Sequence, residues 1–122
     1  MVKKTNRRRR KEGSETGKIY VVTVMDIDES IKDCMREPFS VKSQRVVGWF
    51  QDLTDAHKGV SFNSCNIREC LFNYAVIEGT HEGMYCCGGY DEYWYRYNEK
   101  TGRFKKCKKP KSLSCICGFG IG

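Results

Sequence analysis

The stretch KIYVVTVMDI, residues 18–27, constrains this chain more than any other. Ile19, Val21 and Thr23 alternate with Tyr20, Val22 and Val24, and both sets are largely apolar. Successive side chains of a strand point to opposite faces. A surface strand would be polar on one of them. A run that is apolar on both predicts a central strand covered on each side. The chain has to build a sheet around this segment.

The rest of the sequence supplies partners for it. QRVVGWFQD (44–52) predicts a second strand. DLTDAHKGV (52–60) predicts a short helix capped by Asp52 or Thr54, with Gly59 near its end. Leu53, Ala56, His57 and Val60 fall at helical spacing and should face the sheet. CLFNYAVIEG (70–79) predicts a third strand stopped by Gly79, and GMYCC (83–87) a short edge strand. EYWYRYN (92–98) and RFKKCKK (103–109) flank EKTG, with Gly102 suited to a left-handed conformation; this is a hairpin signal. Pro110 ends the basic strand. SCICGFGIG (114–122) predicts a final strand or extended tail, and DESIKDCMREP (28–38) a helical turn ending before Pro38. The expected fold is a single small α+β domain over residues 18–122. It has a mostly antiparallel sheet, one short packed helix and a C-terminal β-hairpin.

Residues 1–17, MVKKTNRRRRKEGSETG, show no apolar periodicity and predict a disordered arginine-rich arm. Lys3, Lys4, Arg7, Arg8, Arg9, Arg10 and Lys11 make it strongly cationic, and residues 1–11 contain no acid. The chain carries 22 Lys and Arg against 15 Asp and Glu; residues 12–122 hold fifteen of each sign, so residues 1–11 account for the net charge of +7. A second basic block, Arg103, Lys105, Lys106, Lys108, Lys109 and Lys111, is likewise free of intervening acids. Such concentrations point to polyanion partners.

No run of about 18 apolar residues is present, which excludes a membrane-spanning helix. The N-terminal charges have no apolar segment behind them, so no secretory signal is expected and the location should be cytoplasmic. In a reducing compartment the eight cysteines, Cys34, Cys65, Cys70, Cys86, Cys87, Cys107, Cys115 and Cys117, are expected as free thiols or metal ligands rather than disulfides. The chain has no CxxC. A zinc site would have to draw on Cys86, Cys87, Cys115 and Cys117, with His81 as a possible addition. Otherwise Cys70, Cys107, Cys115 and Cys117 serve as small buried apolar residues.

On the hairpin, Tyr93, Tyr95 and Tyr97 share one face, and Glu92, Trp94, Arg96 and Asn98 the other. The tyrosine row is expected to bury against the helix. Trp94 and Arg96 are expected on the outer face, stacking on a base or pairing with phosphate beside Lys105 or Lys106. The candidate nucleic-acid residues are therefore Arg7, Arg8, Arg9, Arg10 and Lys11 in the arm, with Trp94, Arg96, Arg103, Lys105, Lys106, Lys108 and Lys109 in the hairpin. No catalytic residue is expected: HExxH, GxSxG and the P-loop pattern are all missing. Asp26 and Asp28 read as a solvated strand end. GFGIG (118–122) is not a phosphate loop, because no helix follows it.

The order RVVGWFQDLTDAHKGV, NYAVIEG, GMY, EYWYRYNEKTGRFKKC and GFGIG resembles a group of small phage, prophage and clostridial-type proteins of unknown activity. The likeness covers about residues 45–122. The resemblance implies a mobile-element protein and carries no site with it. Together with the charge pattern it leads to a non-enzymatic binder of RNA, DNA or a nucleoprotein complex, such as an inhibitor of a host nuclease or defence complex. The alternatives are a binder that sequesters an anionic nucleotide and a zinc-stabilised interaction module. Unpaired edges on the hairpin and the tail also leave room for a homodimer.

Overall fold

The computed structural model describes residues 17–34, 38–62, 72–81, 91–116 and 118–120. In chain order it contains β1 (Lys18–Ile27), β2 (Val41–Phe50), α1 (Leu53–Ser61), β3 (Tyr74–His81), β4 (Asp91–Asn98), β5 (Arg103–Cys107) and a 3-10 turn (Lys111–Leu113). The five strands form one sheet in the order β2-β1-β3-β4-β5, antiparallel throughout. The architecture is α+β, as its sequence pattern predicts. Among the described residues no helix is long and apolar enough to cross a membrane.

β1 lies inside the sheet between β2 and β3, and both its faces are covered. On one face Tyr20, Val22 and Val24 join Ala75, Ile77, Tyr95 and Phe104 beneath Ala56 and Val60 of the helix. On the other, Met25 and Ile27 join Tyr74, Val76 and Trp94 beneath Leu113 and Phe119. Asp52 is the helix N-cap, its carboxylate accepting the Thr54 amide at 2.7 Å. The β4–β5 turn is built by Asn98. Its side chain accepts the Lys100 and Thr101 amides at 2.8 and 3.3 Å, while Gly102 adopts φ +71°.

Two expectations are corrected and one open alternative is decided. Gly79 does not stop β3, which runs on to His81. A methyl group there would come within 2.9 Å of the Tyr20 ring, so glycine is needed for close packing. Among the described residues after the 3-10 turn there is no strand, so of the two forms expected for this segment the tail is the one adopted. It crosses the face opposite the helix and supplies the cover that β1 requires. The described part of 28–38 forms a turn at residues 29–30 and no helix; Asp28 accepts both the amide and the hydroxyl of Ser30 at 3.0 and 2.6 Å. The arm and the 83–87 segment lie outside the described residues.

Candidate nucleic-acid interface

The alternation of β4 divides the hairpin as expected. Tyr95 is 1% exposed beneath the helix, and Tyr93 and Tyr97 pack around the same cluster. His57 meets Tyr93 and Tyr95 edge-on, with centroids 5.6 Å away in both cases. Burial, and secondarily the positive charge of Lys106, push the His57 pKa below its ordinary value. A lowered folded-state pKa means that the unfolded chain takes up the proton more readily. The stability gained is therefore complete above about pH 6.5 and declines as pH falls below it. Urea midpoints between pH 7.5 and pH 5 should fall for the native chain and stay flatter for His57→Phe. Parallel curves would remove His57 as the cause.

Trp94 is not on an open face. It is 5% exposed, packs edge-on against Phe119 at 5.3 Å and donates its indole N–H to Glu92 at 2.9 Å. Stacking on a base is closed to it, because the C-terminal segment already occupies that ring face. Lys109 is also withdrawn. Its ammonium donates to the Ile116 carbonyl at 2.6 Å, pairs with Glu92 at 3.0 Å and lies 5.5 Å from the Phe119 centroid. It clamps the tail and does not face a phosphate.

Arg96 remains half exposed but has a partner. Its Nε and Nη2 both donate to the Glu29 carboxylate at 2.8 Å, and the Tyr74 hydroxyl donates to the same group at 2.6 Å. Arg96 first, then Tyr74, holds the Glu29 pKa down at about 2. Arg96 is the register partner of Lys105 on β5. An open groove of about 690 Å³ runs along this side, lined by Arg96, Lys105, Lys100, Tyr97, Asn73 and Glu29 among others. Asn73 is engaged with the backbone of Ile27, donating to its carbonyl and accepting from its amide, both at 2.8 Å.

The cations that stay available follow the β5 edge. Lys100, Arg103, Lys105, Lys106 and Lys108 are exposed and make no ion pair among the described residues. Lys105 and Lys106 point to opposite faces of the sheet, so the positive surface wraps an edge. Arg103 lies 4.9 Å from the ring centroid of Phe62, which is 67% exposed at the end of the helix. Phe62 is an aromatic that the sequence pattern did not single out; its place just past the helical run was the available signal. Arg7, Arg8, Arg9, Arg10 and Lys11 lie outside the described residues.

A second overlooked residue is Glu78. It is fully buried in the middle of β3, and its carboxyl oxygens accept the amides of Phe119 and Gly120 at 2.7 and 2.6 Å. The Phe119 carbonyl accepts from Gln44 at 2.8 Å, so the tail is held by both of its backbone groups. Gly120 lies against Thr23 so closely that a methyl group has no room. In the sequence Glu78 stands beside a glycine at the apparent end of a strand, which reads as solvated. Nothing local marks it as an anchor.

Cys115 is joined to Cys34 by a disulfide, which corrects the expectation of free thiols and removes Cys115 from the zinc set. The turn after the 3-10 element and the loop leaving β1 bring together cysteines 81 residues apart. Cys86, Cys87 and Cys117 lie outside the described residues. Cys107 is a half-buried free thiol whose pKa is raised by burial, as expected of a small apolar residue. Among the described residues no cluster of His, Cys, Asp or Glu is arranged to hold a metal.

Comparison with family models, curated protein sequences and solved structures finds no match.

Proposed function

We propose that the chain is a non-catalytic binder of nucleic acid, alone or within a nucleoprotein complex, which grips phosphates with its arm and with the β5 edge. The observation that carries the reading is the row of exposed cations without ion pairs, Lys105, Lys106 and Lys108, flanked by Lys100 and Arg103. Lysines on an exposed edge also keep foreign strands from pairing with it. That role accounts for the strand alone. It leaves unexplained the seven cations that residues 1–11 carry without an acid. Trp94 and Lys109 have no part in this surface; their positions serve the fold.

Phosphate contacts release counterions, so affinity should fall steeply with salt. Seven contacts on a single strand give a log–log slope of roughly −5. Replacing Arg7–Arg10 with Ala should flatten the slope by about 3, and replacing Lys105, Lys106 and Lys108 by about 2. Titration of labelled RNA and DNA strands at several salt concentrations reads both. Native slopes in the two variants would overturn the reading.

A further inference from the structure

The Glu29 carboxylate sits among three donors, Arg96 Nε, Arg96 Nη2 and the Tyr74 hydroxyl. Tyr74 is 8% exposed, so its hydroxyl is positioned by packing. Glu29 itself stands on the turn that follows β1, outside any strand. Arg96 and Lys105 face each other across the β4–β5 ladder. Like charges directly opposite one another disfavour the pairing. Glu29 relieves only Arg96: Lys105 and the neighbouring Lys100 have no ion pair among the described residues. The groove also carries Glu99 on its lining, so its two acids stand against three cations.

We propose that this groove is a phosphate-binding site, and that Glu29 is its internal competitor, holding on Arg96 the place that two phosphate oxygens take in the bound protein. The arginine fork fits carboxylate and phosphate alike, each through two parallel N–H···O bonds. Inorganic phosphate and a phosphomonoester carry more charge than a carboxylate, and any phosphate has oxygens beyond those on the arginine fork with which to engage Lys105 and Lys100. Glu29 leaves by moving its turn, and no strand has to shift. The phosphate can belong to a nucleic-acid strand or to a free nucleotide. For the strand, the inference rests on the function proposed above; for inorganic phosphate it stands alone.

The test titrates the full chain with inorganic phosphate, a 5′-mononucleotide and a short single-stranded oligonucleotide, followed by calorimetry and by the Arg96 Nε resonance. A site open one-tenth of the time binds about tenfold more weakly than one always open. Glu29→Gln should therefore bind phosphate and mononucleotide about tenfold more tightly than the native chain. Lys105→Ala should bind them several-fold more weakly. A purely structural Glu29 would give lower stability with no gain in affinity, and that result in a folded variant overturns the proposal. If Glu29→Gln does not fold, Arg96→Lys keeps the charge and loses the fork; phosphate affinity equal to native in both Arg96→Lys and Lys105→Ala overturns it. Phosphate and mononucleotide binding that follows these variants, without oligonucleotide binding, supports the groove and overturns the nucleic-acid reading. Oligonucleotide binding indifferent to Glu29→Gln and Arg96→Lys but weakened by Lys105→Ala overturns the groove and leaves that reading standing.

Discussion

Replacing Glu78 with Ala should lower the unfolding free energy by about 3–5 kcal/mol, a large part of the stability of a domain this size. The carboxyl group is fully buried and accepts two successive amides of the tail at 2.7 and 2.6 Å. It makes no ion pair among the described residues, so the tail's own N–H groups are its compensation. Alanine leaves both amides unpaired and opens a void against the central strand. Gln fills the same volume but sets an NH₂ against an N–H donor, so Glu78→Gln should lose roughly half as much. Urea denaturation measures both variants. Tail release would also expose Trp94, whose ring is covered by Phe119, while Trp49 is already 61% exposed. A red shift in tryptophan emission should therefore accompany the loss. A cost below about 1 kcal/mol for the Ala variant would mean that Glu78 does not anchor the tail.

The second large effect belongs to the Cys34–Cys115 bond. Cross-links that close long loops stabilise mainly by restricting the unfolded chain, and this one spans 81 residues. Reduction, or paired Cys34→Ser and Cys115→Ser replacement, should cost about 2–4 kcal/mol. The native chain should show a reductant-sensitive denaturation midpoint, and the double variant should show none. A native midpoint that ignores a dithiol would show the bond to be thermodynamically silent. The bond acts on the same tail as Glu78. The two effects should therefore be less than additive when combined, because either one loosens the cover on Trp94.

Much of the fold was legible because its signals are local. The alternation in KIYVVTVMDI placed β1 at the centre, and Asp52 capped the helix that LTDAHKGV implies. The Asn98–Gly102 turn closed the hairpin where its residues required it. The tyrosine row faced the helix because strand alternation permits one other choice only. The candidate site was less legible. Arg96 and the β5 lysines were found as charges, but charge does not reveal its partner. Glu29 lies 67 residues from Arg96 in the chain, and only the return of β4 beside β3 brings them together.

The sequence by itself determined the segments that became β1 to β5, the short helix between β2 and β3 and the concentration of cations in residues 1–11. Each follows from the residue's own propensity or from neighbours a few positions away. Only the tertiary structure decided which aromatic is sheltered, which cation is spent on an ion pair and which cysteine is bonded. Trp94, Lys109, Glu78 and Cys115 took their roles from the tail crossing the second face of the sheet. That crossing is a long-range contact driven by the need to cover an apolar face, and no local pattern encodes its path.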